Sequence, residues 1–350
     1  MRIAQVAPLV ESVPPRLYGG TERIVSYLTE ALVHQGHDVT LFASGDSRTS
    51  ARLVASVPTA LRLNPEVRDF LPYTVLQLEQ LRQRADDFDV IHCHSDFVHF
   101  PLARALLANR IVTTMHGRLD LLDYAALFAE FADTPLISIS DHQRSPLSHR
   151  NWLGTVYHGL PPGVCQFQPN PRGDYLAFLG RISPEKRPDR AIEIAARAGM
   201  KLKIAAKIDA ADHVYFHTVI ESLLSQRHVE FIGEIDEDEK SEFLGNARAL
   251  LFPIDWPEPF GLVLIEAMSC GTPCIAWRSG SVPEVVDHGV TGWIVGSIAA
   301  AAEAVQHVPL LDRHVVRARF EQRFSAERMA GDYLKLYETL TRSETGREAA

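Results

Sequence analysis

The sequence predicts an α/β protein built from two doubly wound, Rossmann-like domains with parallel sheets. Short β-rich apolar runs alternate with longer segments of helical periodicity, which is typical of βαβ units. The alternation occurs in two series separated by a proline-rich stretch. The chain has 350 residues and a hydrophobic fraction of 46%, which is enough for two cores of ordinary size.

The first series predicts a first domain over residues 1–160. An apolar run at 3–7 is followed by a helical pattern at 21–35 and by a second apolar run at 39–42. The same alternation predicts further strands at 89–92, 111–115 and 136–139.

The second series predicts a second domain over residues 173–324. Its strand patterns lie at 175–179, 202–206, 229–232, 249–252 and 273–276. Four prolines, Pro161, Pro162, Pro169 and Pro171, favour a linker over residues 161–172. A C-terminal helix is expected over 325–341, capped by Ser325 and packing back towards the first domain, with a disordered tail over 342–350.

Charge and cysteine content narrow the class of protein. A net charge of -9 argues against general nucleic-acid binding but is compatible with a local phosphate pocket. The four cysteines show neither metal-ligand spacing nor disulfide-rich density, so we expect a reduced, cytoplasmic protein. No signal-peptide pattern and no membrane-spanning run occur, whereas peripheral membrane contact stays open. Oligomeric state is not readable from the sequence.

Residues 258–266, Glu-Pro-Phe-Gly-Leu-Val-Leu-Ile-Glu, set two carboxylates around a glycine turn. Gly261 permits close backbone approach, and the predicted helix 262–269 would offer N-terminal amides to a diphosphate. Glu258 and Glu266 could then accept hydrogen bonds from sugar and ribose hydroxyls. The alternative is an ordinary surface glutamate in a proline-rich loop and a half-buried glutamate in a helix.

Two further loops follow predicted first strands, where open α/β sheets bind ligands. After the first strand of the second domain, Arg181 and Lys186 would neutralise a departing phosphate. After the first strand of the first domain, Gly20 could offer its amide to a phosphate and Glu22 could reach a cleft. Plain solvated loops are the alternative at both places.

A histidine-rich segment has residues that could form a metal site. His92 and His94 would project from one face of a strand, with Asp96 and His99 close behind. Zinc sites usually show a fuller, closed ligand set, so we expect no bound metal.

Taken in order and spacing, the motifs resemble the retaining glycosyltransferases of family 4, which have the GT-B fold. The resemblance covers nearly the whole chain and implies two Rossmann-like domains facing across a cleft. It rests on Gly19-Gly20-Thr21-Glu22, residues 89–94, residues 114–117, His158-Gly159, residues 180–186, residues 258–266, residues 279–284 and residues 289–292.

The resemblance implies a role for each matched residue. Arg181 and Lys186 would bind the donor diphosphate above Gly20, and Glu266 would hold the ribose. The remaining donor contacts would be Glu258 with the backbone of Phe260, Gly261, Leu262 and Val263 for the transferred sugar, His116 near its reacting carbon, and Glu234 and Ile235 for the base. Tyr18, Glu22 and His94 are expected on the acceptor side, and His116, Arg181, Lys186 and Glu258 are the predicted catalytic residues.

The implied reaction is a metal-independent, cofactor-free hexosyl transfer with retention of configuration. UDP-glucose is the first expected donor and GDP-mannose the alternative, with the nucleotide sugar acting as a co-substrate. The acceptor is unidentified. Resemblance to a subgroup that glucosylates tetrahydrobiopterin implies a reduced pterin as one candidate acceptor. A lipid or a growing saccharide is a comparable candidate.

Other functions are compatible with the same fold. A nicotinamide oxidoreductase would need a G-x-G-x-x-G turn after the first strand, and this turn is missing. A noncatalytic nucleotide-sugar sensor would bind without turnover, although the retained charged residues favour an enzyme. A sugar-nucleotide epimerase or a phosphorylase fits the motifs less well, and a phosphorylase would also need a cofactor-bearing lysine.

Overall fold

The computed structural model describes residues 1–16, 19–62, 64–107 and 110–345, which form two compact units. The first unit contains Met1–Pro161 and the C-terminal segment from Ala326, and the second contains Pro162–Ser325. Each unit has its own parallel β-sheet. The predicted α/β architecture with two doubly wound sheets is therefore confirmed.

In its described residues the first unit holds a seven-stranded sheet. Its strands are β1 (Arg2–Val6), β2 (Asp38–Ser44), β3 (Arg52–Val57), β4 (Val90–Cys93), β5 (Ile111–Thr114), β6 (Leu136–Ser138) and β7 (Trp152–Thr155). They lie in the order β3-β2-β1-β4-β5-β6-β7. Strand order reverses between β1 and β4, which makes the carboxyl ends of these two strands the topological switch point of the sheet.

Helices connect these strands. They are α1 (Gly20–His34), α2 (Leu71–Gln83), α3 (Phe100–Leu102), α4 (Tyr124–Glu130) and α5 (Asp141–Arg144). The long helix α1 buries one face, with Ile24, Val25, Leu28 and Leu32 fully or almost fully enclosed.

The second unit holds a six-stranded parallel sheet in the order β10-β9-β8-β11-β12-β13. The strands are β8 (Tyr175–Arg181), β9 (Lys201–Lys207), β10 (Val229–Gly233), β11 (Ala249–Phe252), β12 (Cys274–Trp277) and β13 (Gly292–Val295). The helices are α6 (Pro188–Ala198), α7 (His213–Tyr215), α8 (Glu221–Leu223), α9 (Glu237–Gly245), α10 (Leu262–Ser269), α11 (Val282–Val285), α12 (Ile298–His307) and α13 (Arg313–Arg323). The switch point lies between β8 and β11.

Three strands were missing from the sequence-based prediction, namely β3, β7 and β13. Each lies at an edge of its sheet. Edge strands bury less of their surface, and most residues of β3 and β7 are only partly buried. A weak apolar pattern is therefore expected at β3 and β7, whereas β10, which is also an edge strand, was predicted from its apolar run.

The last helix, α14 (Ala326–Thr345), runs four residues beyond the predicted end at Thr341. The predicted disordered tail is therefore wrong for residues 342–345, and residues 346–350 lie outside the described part of the chain. Polar helix-forming residues continue a helix without an apolar face, so loss of the apolar stripe did not mark its end. Helix α14 belongs to the first unit and buries Tyr333 and Tyr337 completely.

The residues expected to form a linker, 161–172, lie almost wholly in the second unit. The Gln168 amide donates a 3.0 Å hydrogen bond to the Cys270 carbonyl, and the Gly173 amide donates one of 3.1 Å to Asn246. The chain thus leaves the first unit at Pro161 and is hydrogen-bonded to the second within a few residues.

Apolar side chains of helices and strands form the core of the second unit. Leu176, Ile204 and Leu251 of the sheet pack with residues of α6 and α12. All four cysteines of the chain are free and buried. Within the described ranges, no helix is long and apolar enough to span a bilayer.

Candidate functional site

Two loops meet at the switch point of the second sheet. One loop follows β8, whose last residue is Arg181, and contains Lys186. The other loop follows β11 and contains Glu258. The Asp255 amide donates a 2.8 Å hydrogen bond to the Glu185 carbonyl and thereby joins the two loops. The predicted charged residues of this unit therefore lie where open α/β sheets bind ligands.

Lys186 and Glu258 form an ion pair between these loops. Lys186 Nζ contacts Glu258 Oε2, and the indole N–H of Trp256 donates to the same oxygen over 2.9 Å. The ammonium also lies 5.0 Å from the Trp256 ring centroid and 5.5 Å from that of Phe252. Only 18% of the lysine side chain and 10% of the glutamate side chain are exposed. Two opposite charges are thus held in one orientation at a partly water-excluded position, where each can exchange its partner for a ligand.

Arg181 is held more loosely. Its Nη1 lies 3.4 Å from Asp212 Oδ2 and 3.6 Å from Asp209 Oδ2, and Lys207 pairs with Asp209 at 3.0 Å. A guanidinium has five N–H donors, and these two long contacts involve a single nitrogen. With 29% of its side chain exposed, Arg181 is positioned and still able to bind an anion.

Arg187, which the sequence did not single out, braces the same loop. Its backbone has the left-handed φ of 54°, and it forms the N-cap of α6. The guanidinium donates to Asp189 over 2.7 Å and to Asp255 over 2.8 Å, which raises the pKa of Arg187, chiefly through Asp189. A strained residue tied to both loops restricts the positions that Lys186 can occupy.

Helix α10 begins at the predicted glycine. Gly261 has a φ of +83°, and a Cβ there would lie 3.1 Å from Leu264 Cδ1 and 3.5 Å from Glu258 Cγ. The first amides of a helix have no partner inside the helix, so the backbone from Leu262 to Val263 presents donors suited to an anion. The predicted helix 262–269 has the observed bounds of α10.

Residues 279–281 clamp the Glu258 loop from the other side. Ser279 Oγ donates to the Trp256 carbonyl over 2.7 Å, and Ser281 Oγ donates to the Phe260 carbonyl over 2.8 Å. The Ser281 amide donates to the Glu258 carbonyl over 2.9 Å. A Cβ on Gly280, whose φ is +57°, would lie 2.3 Å from the Glu258 backbone nitrogen and oxygen. The Ser-Gly-Ser sequence after a strand was the signal in the sequence for this contact. The close approach of the Gly280 and Glu258 backbones explains why a glycine lies there.

Glu266 lies one turn into α10 and is 4% exposed. Lys240 Nζ donates to Glu266 Oε1 over 2.9 Å. Lys240 is placed by α9, whose N-terminus is fixed by a capping box between Asp236 and Glu239. The capping pattern was visible in the sequence, whereas the pairing of Lys240 with Glu266 was not.

Glu234 and Ile235 lie in the connection between β10, which ends at Gly233, and α9, which begins at Glu237. Glu234 is exposed and Ile235 is partly buried. Both therefore lie in the connection that leads directly to Lys240.

In the first unit, Gly20 is the first residue of α1 and follows Gly19, whose φ is 153°. A Cβ on Gly19 would lie 2.8 Å from Pro15 Cβ and 3.2 Å from Glu22 Oε2. Glu22 is 6% exposed, and burial raises the pKa of its carboxyl, with a further increase from the nearby charge of Glu11. The predicted residue Tyr18 lies outside the described residues.

His116 follows β5 and forms part of a cluster of neutral histidines. Its Nε2 lies 2.9 Å from His94 Nδ1, and its ring stacks on that of His158 at 5.4 Å between centroids. Burial lowers the pKa of His116 to about 3 and that of His94 and His158 well below the usual value. His94 is 2% exposed, and its Nε2 lies 2.7 Å from Gln5 Oε1. Both ring nitrogens of His94 are already hydrogen-bonded, so neither is left to contact the acceptor substrate. His94 therefore lies behind His116.

The segment considered for a metal is hydrogen-bonded internally. His92 contacts Tyr337 and Thr114, and His99 contacts Thr113. Within the described ranges, no group of three or more histidine, cysteine, aspartate or glutamate side chains is arranged to hold a metal ion.

Two parallel α/β units of this kind, with charged loops and a glycine-opened helix at a switch point, define the GT-B class of protein. Comparison with known proteins agrees. Residues 18–157 match the family model described as Glycosyltransferase Family 4, and residues 166–321 match that described as Glycosyl transferases group 1. The chain is a glycosyltransferase of the GT-B fold with these two family domains.

Relatives and solved structures align with most of the chain. It is 27% identical to a phosphatidyl-myo-inositol mannosyltransferase of Mycobacterium leprae, over 98% of each chain. It is 25% identical to an N-acetyl-alpha-D-glucosaminyl L-malate synthase of Bacillus anthracis, over 93% of this chain and 95% of that one. The solved structure of a sucrose-phosphate synthase from Thermosynechococcus elongatus superimposes with a TM-score of 0.77 at 20% identity, over 98% of this chain and 100% of that one.

Proposed function

We propose that this glycosyltransferase moves a hexose from a nucleoside-diphosphate sugar to an acceptor hydroxyl, with retention and without a metal cofactor. The observation that carries the proposal is the Lys186–Glu258 pair beside the N-terminus of α10, with the buried Glu266–Lys240 pair one turn along the helix. Each pair places a cation beside a carboxylate, the two kinds of group that bind a phosphate and a polyol.

The donor diphosphate matches the cations and amides of this site. Arg181, Lys186 and the first amides of α10 would spread the charge that develops as the nucleoside diphosphate leaves. These fixed groups supply the charge stabilisation that a metal ion supplies in other transferases. When phosphate takes over Lys186, the Glu258 carboxylate is released from its ion pair and becomes available to sugar hydroxyls.

The carboxylate of Glu266 suits the two ribose hydroxyls, because an ionised carboxylate is an acceptor with two oxygens. Lys240 holds one of these oxygens and orients the other. Glu234 and Ile235 would then meet the base through backbone atoms, since they occupy the connection leading to Lys240. Backbone contacts identify a base weakly, and the choice of nucleotide is therefore left to experiment.

Retention follows if the leaving phosphate oxygen takes the proton of the acceptor hydroxyl while that hydroxyl attacks from the same face. The bond from the anomeric carbon to the diphosphate breaks as the new glycosidic bond forms. The departing nucleoside diphosphate takes the electron pair and the proton. No enzyme nucleophile is required; His116 is proposed to contact the donor sugar and Glu22 the acceptor.

UDP-glucose is the first donor to test and GDP-mannose the second. A structural neighbour was solved in complex with UDP-glucose, at a TM-score of 0.72 and 17% identity. Mannosyl transfer is favoured by the similarity to the mannosyltransferase of Mycobacterium leprae. A reduced pterin, a lipid and a saccharide are the acceptor classes to screen.

Calorimetric titration with each donor, in the presence of a chelator, tests the donor site. We expect one donor to bind wild-type protein, to lose binding in Glu266→Ala, and to keep it in Glu303→Ala, which removes an exposed carboxylate from α12. If neither donor binds, the donor assignment fails. Binding without turnover across the acceptor classes would favour a nucleotide-sugar sensor.

A second experiment tests the assigned roles. Turnover should fall at least about a hundredfold in Glu258→Ala and in Lys186→Ala, the range observed for loss of one group that stabilises a developing charge. Unchanged turnover in either variant would remove that residue from the mechanism. The anomeric configuration of the product, read by NMR, decides between retention and inversion.

A further inference from the structure

A continuous chain of hydrogen bonds runs through the buried part of the first unit to His116. It begins on α14, where Tyr333 and Tyr337 are fully buried, and crosses β5, β4 and β1. Its members in order are Tyr333, Thr114, His92, Tyr337, Gln5, His94 and His116. The successive distances are 3.1, 2.7, 2.6, 3.2, 2.7 and 2.9 Å.

The three histidines of this chain are neutral. Burial lowers the pKa of His92 and His94 well below the usual value and that of His116 to about 3. A neutral imidazole has one N–H donor and one unprotonated acceptor nitrogen. The direction of one hydrogen bond in the chain therefore sets the direction of the next.

The direction can be followed from α14. Thr114 Oγ1 donates to the Tyr333 hydroxyl, so it must accept from His92 Nε2, which leaves His92 Nδ1 as an acceptor. The Tyr337 hydroxyl then donates to His92 Nδ1 and accepts from Gln5 Nε2.

The Gln5 amide passes this order on. Its Nε2 is used as a donor to Tyr337, so its Oε1 accepts from His94 Nε2. His94 Nδ1 then accepts from His116 Nε2. His116 Nδ1 is left unprotonated.

His116 Nδ1 has no hydrogen-bond partner within the described part of the chain. An unsatisfied buried acceptor costs free energy that a hydroxyl from a ligand would recover. Beside it, the position of a Cβ on Gly117 has no atom within 4 Å. The peptide next to the free acceptor therefore borders open space.

We propose that Gln5, His94 and Tyr337 are positioning residues, which fix His116 as the Nε2–H tautomer and so make its Nδ1 an acceptor for a sugar hydroxyl. The inference rests on the proposed function for the identity of the ligand, and on this structure alone for the tautomer. A ligand group at this position must donate a hydrogen bond. Replacing that hydroxyl by hydrogen or fluorine removes the donor.

Long-range ¹H–¹⁵N NMR of protein labelled at histidine reads the tautomers directly and needs no donor. We expect His92, His94 and His116 all to carry the proton on Nε2 in wild-type protein. A proton on Nδ1 of His116 would overturn the proposal. If the tautomers are as expected and no nucleotide sugar binds, the proposed function fails. The assignment of the tautomers to this chain of hydrogen bonds, called the relay below, is then retained.

Two variants cut the relay at different points. Gln5→Met should release the tautomers of His94 and His116 while His92 keeps its own, because Tyr337 still donates to it. Tyr337→Phe should likewise release His94 and His116, because Gln5 loses the partner that orients its amide, whereas Thr114 still accepts from His92 Nε2. Tyr175→Phe, which removes a buried hydroxyl that donates to the Phe243 carbonyl over 2.7 Å in the other unit, is the matched control and should change none of them.

Activity gives the second readout. With wild-type protein, the monodeoxy or deoxyfluoro donor that lacks the hydroxyl bound by His116 should react about tenfold less well than the intact donor, the effect of losing one hydrogen bond. Gln5→Met and Tyr337→Phe should lose this discrimination, and Tyr175→Phe should keep it. Unchanged tautomers or unchanged discrimination in both relay variants would show that the chain of hydrogen bonds does not position His116.

Discussion

Mild acid should unfold the first unit before the second, because buried neutral histidines are concentrated in the first. His92, His94, His99 and His158 are between 0% and 3% exposed. Residues 162–325 are all described, and none of their histidines is buried. Lowering the pH from 7 to 5 is therefore a perturbation directed at one unit.

The sign follows from the direction of the pKa shifts. Burial lowers the pKa of His99 to about 3 and that of the other three well below 6.5. Below pH 6.5 the unfolded chain takes up protons that the folded unit does not, so stability is lost as the pH falls through the unfolded pKa. Each such histidine lowers the free energy of unfolding of the first unit by about 2 kcal/mol between pH 7 and 5.

Four histidines together cost the first unit about 8 kcal/mol, which is comparable to the whole free energy of unfolding of a typical domain. Glu22 and Asp96 act in the opposite direction, because burial raises the pKa of both carboxyls and folding then favours proton uptake. Two carboxyls offset only part of the effect of four imidazoles. Net destabilisation of the first unit is expected from about pH 6 downwards.

Hydrogen exchange followed by mass spectrometry separates the two units. After correction for the intrinsic pH dependence of exchange, peptides from β4 and β5 should lose protection between pH 7 and 5, while those from β8 and β11 keep it. His99→Gln should reduce the loss by about 2 kcal/mol. His217→Gln, which changes an exposed histidine of the second unit, is the control. Equal loss in both units, or no effect of His99→Gln, would refute the reasoning.

Two further predictions concern the second unit. Gly280→Ala should lower turnover about a hundredfold, as a displacement of about 1 Å at a reacting group does, because its Cβ would overlap the Glu258 backbone. Gly296→Ala, which meets no atom within 4 Å, should keep normal turnover. Lys240→Met should lower the melting temperature and weaken donor binding at least tenfold, because it leaves the Glu266 carboxylate buried without its ion-pair partner. Donor binding equal to wild type in Lys240→Met would contradict that role.

Much of the fold was predictable because it rests on local periodicity. Alternating apolar runs located the interior strands of both sheets, and a glycine before an apolar segment located α10. The omitted strands β3, β7 and β13 all lie at sheet edges, and the apolar signal is weak in β3 and β7, most of whose residues are only partly buried. The end of α14 was missed for a related reason, since a polar helical segment carries no stripe to follow.

The sequence indicated several members of the candidate site, but not Arg187 or Lys240, and none of its ion pairs. The sequence shows that Lys186, Glu258 and Glu266 have the charge and the position relative to strands that a phosphate and polyol site needs. It does not show that Lys186 pairs with Glu258, that Lys240 pairs with Glu266, or that His94 lies behind His116 with both nitrogens occupied.

The sequence by itself thus determined the two series of βα elements, the glycine turns and the chemistry available at each strand end. Only the tertiary structure decided which side chains meet. Lys186 and Glu258 are 72 residues apart, and Gln5 and Tyr337 are 332 apart. A local pattern records the period of one helix or strand, whereas contacts at such separations depend on strand order and helix packing in the folded chain.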